Sequence, residues 1–527
     1  MTRSSTSTRI AFGRRRLAAA AAVGVLVLTG VGTLTGCTPG ASSSDTSTSA
    51  DSNGVLRVGV LGVGSTETLN PTHMDADVSI ARAFQIFEPL VRMGTGDKIV
   101  ENVLAESLIP NGDGSVWTLK LRSGVTWHDG TPLTADDVIY TTNYNVEKVT
   151  WAFNLWSNVD RANLKKVDDL TLEIPLTAPN FLYPESLVDI NALIIKDGTT
   201  SFEHPVGTGP FKFKSFTPGQ QSTFVRNDDY WDGAPKLASV EIDSINDETT
   251  RVNALMSGQV DAISGVPFSG IPQLEGAGLT VSNQPSGSWV GIRMNTKMKP
   301  FDDPRVREAM RLLIDREQVV SNAYGGNATI GNDLFGWFDP SFAKLPQLTY
   351  DPERARELLR EAGYENLTLT LPTTNIGPGT SEMVTLFAAS AAKAGVTINV
   401  KQTPAAEFYA IPQNDKQWSP TVWGGRPIAS QINSRMSRKS IDAGLSETSW
   451  GDSDFLSAYE AAISTSDPAI QRTHLIEAQT KMYNDGPYII PAFYNIVTAS
   501  SESVTGFQTN MRSPFGDYDF TDVTVNK

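Results

Sequence analysis

One stretch of this chain has almost nothing with which to build a core. Thr38 to Asn53, TPGASSSDTSTSADSN, is nearly free of apolar residues. A segment of that composition stays a flexible tether, so it divides the chain into a short leader and one long body. No second linker of this kind interrupts the body. Single cores stop growing at roughly 250–300 residues. A chain of 527 residues with only that tether must therefore fold as at least two lobes, with the chain crossing between them. Its 40% hydrophobic and 19% charged residues suit a globular body rather than a disordered one.

The leader is polar and basic over residues 1–16, ending in Arg14-Arg15-Arg16. It is apolar from Leu17 to about Leu28, then small-residue from Thr29 to Gly36. Basic head, short apolar body and small-residue exit read as an export signal, too short and glycine-rich for a membrane span. The exit Leu34-Thr35-Gly36-Cys37 resembles the lipobox of bacterial lipoproteins. There the cysteine sulfur receives a diacylglycerol and becomes the first residue after cleavage. Cys37 is the one cysteine in the chain, so no intrachain disulfide can form, and lipidation accounts for it. Two or three acyl chains anchor stably where one does not. The expectation is a signal peptide over 1–36, a tether over 37–53, and a body held at the outer face of the bacterial cytoplasmic membrane. The ordinary secretory route fits the leader better than twin-arginine export, whose motif is incomplete.

Five arginines and no acid precede Cys37. The remainder therefore carries 38 basic against 58 acidic residues, a net of −20. A surface that negative repels phosphate backbones, so nucleic acid is not an expected partner. Catalytic motifs are missing. Four histidines (His73, His128, His204, His474) lie scattered, and neither HExxH nor CxxC occurs. No Gly-Lys dipeptide exists to make a phosphate-cradling loop, and Gly59, Gly62 and Gly64 lack dinucleotide spacing. Gly287-Ser288-Trp289-Val290-Gly291 sets its serine one place early for a nucleophile elbow. Asp136-Asp137 and Asp228-Asp229 read as solvated helix starts and turns. His73-Met74-Asp75-Ala76-Asp77 lacks the glycine and bidentate acid of a calcium loop and reads as a surface loop. The expectation is no enzyme, no catalytic residue, no metal and no cofactor.

Val55 to Val60 alternates as an opening strand, and Trp117 to Leu121 as another. The spacing of Ile80, Phe84 and Phe87 predicts a helix over 80–90. Thr134 with Asp137 three residues on marks a helix start. Asp303-Pro304 and Asp351-Pro352 open two more, with Pro where its missing N–H costs nothing. Mixed strands and helices without a repeat predict an α/β body.

Several segments together resemble the family 5 extracellular solute-binding proteins, the peptide- and nickel-type receptors of ABC importers. They are Phe87-Glu88-Pro89-Leu90-Val91, the dense run Leu119 to Val138, Pro205-Val206-Gly207-Thr208-Gly209-Pro210-Phe211, Asn227-Asp228-Asp229-Tyr230-Trp231, Asn295-Thr296 with Pro300 to Arg307, and the helix Arg472 to Tyr483 running into Pro487-Tyr488-Ile489-Ile490-Pro491. They stand in family order across about residues 55–500. The resemblance implies a two-lobed, periplasmic-binding-protein-like fold of type II with an extra inserted domain. Lobe one would comprise 54–97, 200–288 and 490–527, the inserted domain 98–199, and lobe two 289–489. Strands near Ser288–Asn295 and Ile489–Asn495 would cross as the hinge. Implied partners are a small-molecule or peptide ligand, an ABC permease with separate ATPase subunits, and the membrane through the lipid; a monomer is expected. Trp127, His128 and Asp129 resemble a family hallmark, for which a turn-and-helix-start role suffices.

In the family's peptide receptors, a Trp-Gly segment in lobe two is followed by an aspartate that pairs with the peptide's free amine. Here that segment reads Val422-Trp423-Gly424-Gly425-Arg426-Pro427. Arg426 reverses the charge and offers a fork suited to carboxylate or phosphate. Two readings stand: Arg426 meets an anionic or polar group of the ligand, or it pairs with a structural carboxylate. Trp423, Gly424 and Arg426, with Trp289 and Tyr494 on the crossing strands, are the expected ligand-binding residues. Aromatics there supply large contact area on peptide bonds or sugar rings alike. The expected function is capture of a peptide or peptide-like solute by lobe closure. The alternative is an oligosaccharide or other non-peptide, anionic organic solute.

Overall fold

The computed structural model describes residues 54–74, 76–94, 98–148, 153–507 and 518–526. The leader, Cys37 and the tether lie outside them. Among the described residues no helix is long and apolar enough to cross a membrane. The body, Ala50–Lys527, is one compact unit.

Three sheets organise the body. In the seven-stranded sheet, Val55–Val60 runs parallel to Ser239–Ser244 on one side and Ala262–Ile263 on the other. Gln221–Arg226 and Phe211–Phe216 extend one edge, and Ile496–Ser500 and Thr280–Gln284 the other. A four-stranded antiparallel sheet is built from Ala105–Pro110, Val116–Leu121, Thr171–Pro175 and Lys165–Asp168. In the third, Trp289–Met294 pairs with Trp418–Trp423, Tyr488–Ile489 and Ala492–Tyr494, with Ala328–Ile330 beyond. All six residues of Trp289–Met294 are buried, because each face has its own core. Val290, Ile292 and Met294 pack with Val306, Met310 and Phe387. Trp289 packs with Ile428, Ile432 and Phe493. The chain passes between the seven- and five-stranded sheets twice, at 284–289 and 494–496, whereas the strands expected to cross, near Ser288–Asn295 and Ile489–Asn495, pair with each other within the five-stranded sheet.

Local chemistry sets the helix starts as the residues predict. Asp303 and Asp351 cap the Pro304–Leu312 and Pro352–Glu361 helices by accepting from the Arg305 and Arg354 amides. Asp137 Oδ2 accepts from the Thr134 amide at 2.8 Å. The helix expected over 80–90 is instead Asp77–Ile86, with Phe87 already extended at φ −114°, ψ 152°. Pro89 explains the early stop, because the residue before a proline is driven out of the helical region. Released from the helix, Glu88 turns inward. Its carboxylate accepts from Thr208 Oγ1 at 2.7 Å, Tyr230 Oη at 2.7 Å and Trp231 Nε1 at 3.1 Å. Burial nonetheless pushes its pKa up to about 7.

That hub joins three of the segments that carry the family resemblance, and His128 joins a fourth. The His128 ring donates from Nε2 to the Gly209 carbonyl at 2.9 Å, while Nδ1 accepts from the Gly207 amide at 3.3 Å. Gly207 has no alternative: a Cβ there would sit 1.7 Å from the Ile86 carbonyl oxygen. Both ring nitrogens are used by a neutral imidazole, and burial pulls the His128 pKa down to about 4. The unfolded chain, titrating near 6.5, therefore binds a proton first as pH falls. The His128 contribution is whole above about pH 6.5 and declines as pH drops from there toward 4. Wild-type stability should fall by about 2 kcal/mol more than that of His128→Gln between pH 7 and pH 4. Denaturant midpoints at the two pH values check it; parallel pH profiles would count against it.

Candidate functional site

The Trp418–Trp423 strand carries Trp423 to its end, opposite Trp289. Gly424-Gly425-Arg426-Pro427 then leads into the Ile428–Arg435 helix. The turn packs tightly against the first crossing: a Cβ on Gly287 would lie 2.8 Å from the Gly425 Cα and 2.1 Å from the Phe338 ring. Trp423 is half-buried, and its Nε1 donates to Glu447 Oε1 at 3.0 Å. The guanidinium carbons of Arg426 and Arg435 lie 4.8 and 5.6 Å from its ring centroid. Such contacts strengthen where water is excluded.

Glu447 is the acid at the centre. It also accepts from Tyr488 Oη at 2.8 Å and Thr421 Oγ1 at 3.0 Å, with Arg293 Nε 3.9 Å away. Arg426 turns the other way. Its Nη1 meets Asp189 Oδ2 at 2.7 Å, with the side chains 7% and 5% exposed. Asp189 follows the short Tyr183–Ser186 helix, and its Oδ1 is spent on the Asn191 amide and side chain. The ion pair therefore closes a seam between parts of the chain 237 residues apart. Ser430 Oγ to the Val188 carbonyl at 3.4 Å, and the Phe181 amide to the Ile463 carbonyl at 2.7 Å, run along the same seam.

The expected site residues thus divide. Trp423, Gly424 and Arg426 gather with Glu447, Asp189 and Arg435. Trp289 is 1% exposed and packs edge-on against Tyr488 at 5.8 Å. Tyr494 is 7% exposed and stacks on Tyr324 at 6.3 Å. Cys37 lies outside the described residues. Sequence reasoning did not single out Asp189, Arg435 or Glu447, and no motif marks them; their partners are distant in the chain. Asp77, in the stretch read as a surface loop, is the first residue of its helix. Burial raises its pKa to about 6 against the pull of Arg251. Asp75 lies outside the described residues. Among the described residues no three His, Cys, Asp or Glu side chains gather as a metal would need.

The family model for bacterial extracellular solute-binding proteins, family 5 (Middle), matches residues 100–444. The glutathione-binding protein GsiB of Pectobacterium atrosepticum is 30% identical over 483 residues, 85% of this chain and 91% of that protein. GsiB of Shigella flexneri is 30% identical over 494 residues with the same coverage. Among solved structures, the periplasmic binding protein DppA from Helicobacter pylori, in complex with a peptide, matches with a TM-score of 0.78 at 21% identity. That match covers 90% of this chain and 98% of DppA. AgaA of A. tumefaciens, in complex with agropinic acid, matches with a TM-score of 0.77 at 24% identity over 90% and 99%. The fold is the two-lobed type II periplasmic-binding-protein fold. This chain belongs to the family 5 bacterial extracellular solute-binding proteins.

Proposed function

We propose that this chain is an exported, lipid-anchored receptor that captures a peptide or peptide-like solute and delivers it to an ABC permease driven by separate ATPase subunits. Cys37 carries the lipid, and the protein works as a monomer without catalysis. Lobe one comprises 54–97, 200–288 and 490–527, the inserted domain 98–199, and lobe two 289–489. The crossings at 284–289 and 494–496 act as the hinge, and ligand shifts the population toward the closed form. Trp423 and Gly424 face the ligand, Arg426 closes the seam beside them through Asp189, and Trp289 and Tyr494 form the aromatic backing next to the crossings. The observation that carries the reading is the buried Arg426–Asp189 pair. It holds together two distant parts of the chain beside an aromatic ring, as closure on a ligand requires. The relatives named for glutathione, itself a tripeptide, favour a peptide-like ligand.

A second reading keeps the receptor but changes its cargo to a non-peptide anionic solute. Arg426 in place of an acid favours it, as does the likeness to a protein that holds agropinic acid. Native mass spectrometry of residues 54–527, produced in a peptide-rich medium, separates the two. A retained mass that fragments as a peptide supports the first reading. A sugar-like or organic-acid mass supports the second. A ligand returned as a cleaved product would overturn both.

A further inference from the structure

Arg435 stands apart from the other guanidiniums that burial surrounds. It ends the Ile428–Arg435 helix, in which the seven preceding residues are buried while Arg435 alone keeps solvent-reachable surface. Burial still depresses its pKa. Among the described residues its one hydrogen bond runs from Nη1 to the Leu445 carbonyl at 3.3 Å. Buried arginines elsewhere spend more of their donors. Arg82 meets Ser222, Glu67 and Gln220, and Arg251 meets three carbonyls. Arg307 and Arg316 each pair with a carboxylate. A guanidinium has five donors in a fixed fork, and Arg435 leaves most of its fork unused.

The charges around it do not balance. Arg293, Arg426, Arg435 and Lys416 share this field with two carboxylates, Glu447 and Asp189. Asp189 is committed to Arg426, and Glu447 accepts from Trp423, Tyr488 and Thr421. Positive charge is in excess there, which favours an anionic group on a bound solute. One helical turn earlier, on the same face, Gln431 is 1% exposed, and neither its Oε1 nor its Nε2 has a partner among the described residues. A buried amide of that kind is unusual in a folded protein and calls for a complementary group.

We propose that Arg435 binds a carboxylate of the solute, with Gln431 beside it pairing an adjoining amide. Arg426, the cation that the sequence pattern favours, instead ties the seam shut through Asp189. This deepens the receptor reading above and rests on it. The Arg435 guanidinium carbon lies 5.6 Å from the Trp423 ring centroid, and the donors of its fork suit a planar carboxylate.

The test is a competition on the full-length chain in detergent. One mixture holds random tripeptides as free acids and as C-terminal amides in equal amounts. A second holds sugar acids and their primary amides. Captured species are counted by mass spectrometry. The wild type should enrich acids over amides by about 10- to 100-fold, the range of a charge-assisted hydrogen-bonded pair. Arg435→Gln should bring the ratio close to one. Arg435→Lys, which keeps the charge without the fork, should retain an intermediate ratio and shows that loss does not reflect misfolding. A structural role would lower capture of acids and amides alike and leave the ratio unchanged, which overturns the proposal. An unchanged ratio in Arg435→Gln at wild-type capture does the same. Capture from the sugar-acid mixture alone sinks the peptide reading while the ratio still decides the role of Arg435. Capture from neither mixture overturns both.

Discussion

Glu88→Ala is expected to lower unfolding free energy by about 3–5 kcal/mol, because three buried donors lose their acceptor at once. Thr208 Oγ1, Tyr230 Oη and Trp231 Nε1 all converge on that carboxylate. Thr208 is 2% exposed, and Tyr230 and Trp231 are held half-buried. Glu88→Gln should cost only about 1 kcal/mol, since its amide oxygen still accepts and its amide nitrogen can donate to the tyrosine hydroxyl. The two variants also separate by pH. Glu88 is raised to about 7 by burial, so the folded state holds its proton longer than the unfolded state does. Wild-type stability from this group declines as pH rises from about 4.5 to 7. Glu88→Gln has no such term, so its deficit should shrink between pH 5 and pH 8. Denaturant unfolding at both pH values measures this; a Glu88→Ala variant within about 1 kcal/mol of wild type would remove Glu88 as the hub.

The same hub explains what the sequence made legible. The segments that carried the family resemblance are largely the ones that hold the first strand-and-helix layer to its neighbours. Glu88, Thr208, Tyr230 and Trp231 meet at one carboxylate, and His128 clasps Gly207 and Gly209. Such positions need particular residue types at particular places, because a buried acceptor must find its donors and a glycine must admit a passing carbonyl. Helix caps at Asp303 and Asp351 were readable for the same local reason. The end of the Asp77–Ile86 helix was misjudged because apolar spacing continued to Phe87 while the backbone restriction imposed by Pro89 won.

The ligand-facing chemistry was legible only in part. Trp423 and Arg426 could be placed from the Trp-Gly segment, yet what Arg426 does depends on Asp189, more than two hundred residues away. Arg435 reads in the sequence as an ordinary basic residue at a helix C-terminus. Its distinction comes from how little of its fork is hydrogen-bonded among the described residues. Glu447 sits in an irregular loop between helices, where no periodicity points to it. Long-range pairing and unmet hydrogen-bond capacity are properties of the folded body, so a single sequence does not display them.

The Arg426–Asp189 pair should decide whether the two sides of the seam stay together. Both side chains are more than nine-tenths buried. Removing one charge therefore strands the other, a loss of about 3–5 kcal/mol when a buried pair is broken. Asp189→Asn keeps the shape and the acceptor for the Asn191 amide, but turns an amide nitrogen or a neutral oxygen toward Arg426. The closed-to-open ratio should drop by at least about 100-fold, enough to make the open form common where closure had been favoured. Arg426→Met should do the same by stranding Asp189. Combining Asp189→Leu with Arg426→Met should recover much of the loss, because an apolar pair of similar volume replaces two desolvated charges. The readout is the distance between fluorophores on either side of the seam, in solution without added solute, for the two single variants and the double. Single variants as closed as the wild type would show that packing along Ser430 and Phe181 closes the seam unaided. A double variant as open as the singles would show that the charges themselves, rather than the stranding of one by the loss of the other, hold it.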